Sequence, residues 1–242
     1  MKKFLPIFIL LLGVGVLIGA FFLIKGRGEK EEGDEEEVIE VAFDKRPVTT
    51  LTPSSDGHWL KLRIEKLGDL GESLDYELLY QLPDGRTQGV PGSITLGTEA
   101  TIERDLLLGS ESSGKFRYDE GVTGGTLTLR FRNSKGKLTA KFLTEFSLIS
   151  DTKSLSSSDG KFKYELTKSS KDFFIVMGTF GAPLGYSGQP SSGPYGVFSS
   201  SESSLAGRVT LNAGKIEAYI GGKWTTLESP EASDLGIFMA TP

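Results

Sequence analysis

The 242-residue chain contains no cysteine and a single histidine, His58. The first absence excludes disulfides, thiolate metal sites and a cysteine nucleophile, so stability has to come from an ordinary hydrophobic core. The second makes any Ser-His-Asp arrangement depend on His58 and excludes a multi-histidine metal site within one chain. His58 stands in an Asp-Gly-His-Trp turn entering a strand, a position that asks only for a polar, tolerant residue. Calcium loops of the Asp-x-Asp-x-Asp-Gly kind are missing, and Asp56-Gly57, Asp84-Gly85 and Asp159-Gly160 read as isolated turn pairs. No metal or cofactor is expected.

A basic face is also lacking. The net charge of −5 divides into +4 over residues 1–27, −7 over 28–40 and −2 over the remainder. A nearly neutral body of mixed sign excludes the electrostatic footprint of a nucleic-acid binder. Long apolar helices are absent after residue 40, where no window keeps a 3.6-residue period over three turns.

What is present is concentrated first at the N-terminus. Phe4 to Ile24 carries no charge, with Lys2 and Lys3 before it and Lys25 and Arg27 after it. At about 1.5 Å per residue such a helix spans roughly the 30 Å hydrocarbon core of a bilayer. A cleaved signal peptide has a shorter apolar region and a small-x-small site. Here Phe21 to Ile24 continue the run past Gly19-Ala20, and bulky Ile18 would occupy the −3 position. Residues 4–24 are therefore predicted to be a single-pass transmembrane anchor in the lipid bilayer. Gly15 and Gly19 form a Gly-x-x-x-Gly pair that lets two such helices pack closely, so weak self-association is expected there. The acidic run from Glu29 to Glu40 reads as a solvated, self-repelling spacer. Basic residues on the two sides of the anchor nearly balance. Lack of cysteine and abundance of Ser, Thr and Gly point to a body on the extracytoplasmic side.

The body reads as strands. Leu60, Leu62 and Ile64 alternate with Lys61, Arg63 and Glu65, giving one buried and one wet face. Leu127, Leu129 and Phe131 repeat the pattern, with Thr128, Arg130 and Arg132 outward. Asn133 to Gly136 supplies a turn, and Leu138, Ala140 and Phe142 resume the alternation, so 126–146 reads as a hairpin. Phe162, Tyr164 and Leu166 form a further strand. The predicted fold class is all-β: one N-terminal transmembrane helix, then an immunoglobulin-like antiparallel β-sandwich, two in tandem. The resemblance to immunoglobulin-like modules is one of pattern only. Residues 1–27 would be the anchor, 28–44 the acidic linker, 45–150 the first sandwich and 151–242 a second sandwich or β-rich domain.

An internal echo underlies the tandem reading. Ser54-Ser55-Asp56-Gly57-His58-Trp59 matches Ser157-Ser158-Asp159-Gly160-Lys161-Phe162, 103 residues later. Gly125 to Leu129 parallels Gly207 to Leu211, and Gly136 to Ala140 parallels Gly214 to Ala218, although the spacing between echoes is not kept.

Catalytic motifs fail one by one. Gly109 to Lys115 has the glycine and lysine spacing of a phosphate-binding loop, but Phe116 stands where a hydroxyl should hold Mg²⁺ and no helix can follow. Gly185-Tyr186-Ser187-Gly188 opens like a nucleophile elbow and then breaks at Gln189, and Ser150 to Lys153 has Ser-x-x-Lys spacing without companion motifs. Residues 178–198 remain, rich in Gly, Pro and Ser and carrying Phe180, Tyr186 and Tyr195. Aromatic rings on an adaptable backbone suit contact with a glycan or a protein, and these three are the candidate binding residues. The plainer alternative is a long connection whose aromatics fold back on the core. The expected role is non-enzymatic binding or scaffolding at the cell envelope, toward a glycan or a protein. The alternative is a membrane-tethered hydrolase of cell-wall polysaccharide using a carboxylate pair that meets only in space.

Overall fold

The segments with period-two patterning, 59–65, 126–132, 138–142 and 162–167, all form strands. The structure, a computed structural model, describes residues 40–212 and 214–242. The predicted anchor, most of the acidic linker and the Gly15/Gly19 pair lie outside the described residues. Among the described residues no helix is long and apolar enough to cross a membrane, and the one helical element is a single 3₁₀ turn, Phe43–Lys45.

The first half forms β1 (Val48–Pro53), β2 (Trp59–Glu65), β3 (Ser73–Gln81), β4 (Thr87–Thr95), β5 (Thr101–Leu107), β6 (Gly109–Ser112), β7 (Lys115–Tyr118), β8 (Gly124–Arg132) and β9 (Leu138–Ile149). The second forms β10 (Thr152–Ser156), β11 (Phe162–Ser170), β12 (Phe174–Gly178), β13 (Ser192–Ser199), β14 (Gly207–Leu211), β15 (Lys215–Ile220), β16 (Lys223–Leu227), β17 (Glu231–Ala232) and β18 (Ile237–Thr241). The protein body is all-β and its pairings are antiparallel.

A nine-stranded sheet, β16-β15-β18-β13-β12-β9-β8-β3-β4, runs through both halves. Two smaller sheets accompany it, β1-β2-β5 and β10-β11-β14-β17. The expected boundary between residues 150 and 151 falls in the turn between β9 and β10. The large sheet continues past it through the β9–β12 pairing, Phe174 opposite Ile149 and Met177 opposite Phe146.

Two large hydrophobic cores result, with a small third cluster of Phe43, Ala182 and Met239. The first gathers Leu60, Leu62 and Ile64 of β2 with Leu74, Leu78, Leu127, Leu129 and Phe131 of the large sheet. The second gathers Phe162, Tyr164 and Leu166 of β11 with Tyr195, Val197 and Phe238. Strand β12 serves both. Ile175 and Met177 belong to the first core, Phe174 and Val176 to the second. Alternate residues of a strand point to opposite faces, so the two cores lie on opposite sides of the shared sheet where β12 crosses it.

The outward face of the first half is stitched by cross-strand ion pairs, Arg130 to Glu77 at 3.2 Å and Arg132 to Asp75 at 3.0 Å. Thr128, expected to face solvent, is buried. It sits in an interior strand with Glu77 and Leu143 directly opposite on its two neighbours, and these longer side chains flank it. The expected hairpin is β8–β9. Its turn is held by Asn133, whose Oδ1 accepts the N–H groups of Lys135 and Lys137.

The strongest internal echo is reproduced atom by atom. Ser54 Oγ donates to Asp56 Oδ1, which also accepts the N–H of His58, while the N–H of Trp59 donates to Ser54 Oγ. Ser157, Asp159, Lys161 and Phe162 repeat this set. After each turn the next strand pairs back and then takes a third strand, giving β1-β2-β5 and β10-β11-β14, while β3 pairs β4 as β12 pairs β13. The second echo does not share a place in the fold, because β8 sits in the large sheet and β14 in the four-stranded one.

Candidate functional site

The three aromatics of the 178–198 stretch go to different places. Phe180 adopts a left-handed backbone (φ 64°), uncommon for a bulky residue, in an isolated bridge to Val48. Its half-buried ring packs on Phe142 with centroids 5.3 Å apart. Tyr195 lies in β13 and is only 8% exposed. Its ring stacks on Phe162 at 5.3 Å, and its hydroxyl donates to Asp159 Oδ2 at 2.7 Å. Burial first, and then the Asp159 carboxylate, push the Tyr195 phenol up to about 12. Tyr186 is half-buried between Trp224, at 5.3 Å, and Phe43, at 6.3 Å. Phe180 and Tyr195 border one shallow depression together with Arg46 and Lys161, and Tyr186 is not part of it.

A different set of rings is assembled in the open. The stretch with phosphate-loop spacing is the β6–β7 hairpin, turning at Ser113 (φ 52°) and Gly114 (φ 76°). Two successive left-handed residues give the two-residue turn whose twist matches a hairpin. Seven of the hairpin's eight strand residues are exposed, and Gly109 is the exception. Phe116 and Tyr118, two residues apart, lie on one face and are 45% and 38% exposed. Tyr118 stacks on His58 (4.3 Å, 10°), Phe116 meets Trp59 edge-on (5.5 Å), and the Phe116 and Tyr118 rings are nearly parallel, 6.2 Å apart. A strip of four aromatic rings thus runs from the start of β2 onto the hairpin.

Its base is fixed to the body. The N–H of Leu108 donates to His58 O, and that of Asp119 to Leu108 O. Tyr80, fully buried, donates its hydroxyl to Asp119 Oδ2 at 2.9 Å. Burial and then that carboxylate raise the Tyr80 phenol well above its ordinary value. His58 is more than the tolerant turn residue expected. Its Nδ1 lies 3.4 Å from Asp56 Oδ2 and its Nε2 3.3 Å from Glu120 Oε1. The strip opens onto a cleft of about 580 Å³ lined by Asp56, His58, Asp119, Glu120, Ser147 and Ser150, with Phe173 in its wall. Sequence reasoning overlooked this surface. The available signal was the aromatic alternation Phe116-x-Tyr118 inside a polar segment, while the approach of His58 and Trp59 from some sixty residues away is a product of the fold.

A larger cleft, about 930 Å³, lies between the β2–β3 and β4–β5 connections, with Leu184 and Tyr219 beside it. Glu65, Asp69, Glu72 and Glu99 line it, and Glu65 is engaged by Arg63 at 2.6 Å. Lys66 enters it with a left-handed backbone (φ 60°) and donates its ammonium to Ala182 O at 3.2 Å. Partial burial lowers the Lys66 pKa. Among the described residues no group of three or more His, Asp or Glu is placed to hold a metal ion.

The repeated serine–aspartate turns carry a pH signature. Hydrogen bonds from the Ser54 hydroxyl and the His58 N–H hold the Asp56 carboxyl below the ordinary carboxylate range. For Asp159 burial pulls upward, but donation from Ser157, Tyr195 and the Lys161 N–H prevails and the pKa is lowered. A carboxyl depressed in the folded state stabilises it at pH above the unfolded value, and that contribution disappears as pH falls through the folded value. The melting temperature is therefore expected to drop on acidification below the ordinary carboxylate range. A Ser54→Ala, Ser157→Ala chain should show a shallower drop in the same pH series; an unchanged slope would remove these turns as its source.

No protein-family model, no curated protein and no solved structure matches this chain.

Proposed function

We propose that this is a single-pass membrane protein that displays a non-enzymatic binding module outside the cytoplasm, where it binds or scaffolds a glycan or protein of the cell envelope. The observation that carries the reading is the exposed aromatic strip on β2 and β7, held on strands rather than on a free loop. Rings so placed offer apolar contact area that is already ordered before a partner arrives. The uncharged run of residues 4–24 supports the anchor, and the acidic spacer supports a body held clear of the bilayer. Gly15 and Gly19 support a weak helix–helix contact in the membrane. We read the body as two immunoglobulin-like sandwiches in tandem that share the large sheet. The matched turns and the matched pairing of the first five strands in each half support that reading. Polysaccharide hydrolysis is the second reading, favoured only by the carboxylates beside the 930 Å³ cleft.

Alkaline carbonate washing is expected to leave the full chain in membranes, while a chain beginning at Val41 is released into the supernatant. Protease added to intact spheroplasts should digest the body. Release of the full chain by carbonate would remove the anchor, and protection until lysis would reverse the orientation.

A further inference from the structure

Beyond the contacts with His58, Trp59 and each other, Phe116 and Tyr118 stay 45% and 38% exposed, although each is a large apolar surface on an ordered strand. Exposed aromatic faces beside a polar cleft narrow the chemistry of what would cover them. From the geometry we infer that the strip and its adjoining cleft form one binding site for a neutral glycan, a ligand class that deepens the binding role proposed above and rests on it.

Three properties of the site select that class. A sugar ring has an apolar C–H face that lies flat on an aromatic ring, and a girdle of hydroxyls that must keep hydrogen bonds when desolvated. The strip supplies the first contact at Tyr118, Phe116 and Trp59. The cleft supplies the second, since Asp56, Asp119 and Glu120 are acceptors and Ser147 and Ser150 both donate and accept. Two of the carboxylates are already oriented by donors, and the third meets a ring nitrogen. Asp56 accepts from Ser54 and the His58 N–H, Asp119 accepts from Tyr80, and Glu120 lies against the His58 ring. Each keeps further lone pairs for a ligand hydroxyl, and Asp56 and Asp119, held by these bonds, lose little side-chain entropy on binding. Among the described residues no Lys or Arg lines the cleft, so an anionic polymer entering it would meet carboxylates there without a neutralising cation. His58 joins the two parts, stacking on Tyr118 on one side and contributing to the cleft on the other.

The test uses the full chain in micelles of a detergent without a sugar headgroup. Titration calorimetry would be run against soluble cello-, chito- and manno-oligosaccharides, with hyaluronan and oligolysine as anionic and cationic probes. Saturable binding of at least one neutral oligosaccharide is expected, weakened at least tenfold by Phe116→Ala with Tyr118→Ala. Those rings are exposed, so the melting temperature should stay close to that of the parent; Glu120→Gln, at a side chain 83% exposed, provides a second variant that leaves the hairpin intact. It should weaken binding, and Phe116→Tyr should retain it. Failure of every neutral probe, a preference for oligolysine or hyaluronan, or binding untouched by the variants would overturn the glycan site. The wider reading fails separately: capture of an envelope protein through the strip, lost with the same variants, would overturn the glycan while leaving the binding role in place.

Discussion

Tyr195→Ala is expected to cost the body about 3–5 kcal/mol, the usual cost of truncating a large buried aromatic side chain. The ring packs in the second core against Phe162, with only its edge bordering the shallow depression beside Phe180. Tyr195→Phe separates ring from hydroxyl. It keeps the packing and loses the donation to Asp159, a carboxylate 41% exposed, so about 1 kcal/mol is expected. Tyr186→Ala, at a half-buried ring between Phe43 and Trp224, should cost about 1 kcal/mol. Urea unfolding of the full chain followed by tryptophan fluorescence would rank the three. Equal, small losses for Tyr195→Ala and Tyr186→Ala would mean that β13 does not bury this residue.

Phe131→Ala and Phe238→Ala are expected to be as damaging, each by about 3–5 kcal/mol, although they empty different cores. Both side chains are fully buried, Phe131 against Phe142 and Phe238 between Phe162 and Tyr164. Because the large sheet is hydrogen-bonded without interruption from β4 to β16, either loss should move one common unfolding transition rather than one of two. Calorimetry decides this. Two resolved transitions, each shifted by only one of the variants, would show that the shared sheet does not couple the halves.

Strands that alternate were legible because one face is wet. In β2 and β11 the exposed Lys61, Arg63, Lys163 and Glu165 mark the period between buried neighbours. Strand β12 was not legible, since Phe174 to Met177 is an unbroken apolar run covered on both faces, and periodicity is silent there. Strand β13 was hidden by its composition, Ser-Gly-Pro-Tyr-Gly, which reads as loop; tertiary pairing with β12 and β18 overrides that local preference. Composition alone therefore places Tyr195 among loop aromatics. The β6–β7 strands are four residues each, too short to stand out, and their rings gain meaning only against His58 and Trp59. A site made of neighbours distant in sequence is invisible to spacing arguments.

Strand β12 restricts how this protein can be cut or recombined. A fragment ending at residue 150 would surrender Ile175 and Met177 from its interior and leave the flank of β9 unpaired, a row of open donors and acceptors inviting another chain. A fragment starting at residue 151 would keep both side chains but present them to water. Slipping β12 by one residue offers no escape, because it would send Phe174 and Val176 into the space shaped for Ile175 and Met177. Inheritance of either half as a transplantable cassette therefore requires a replacement for this one five-residue strand, and its register has to satisfy two masters at once.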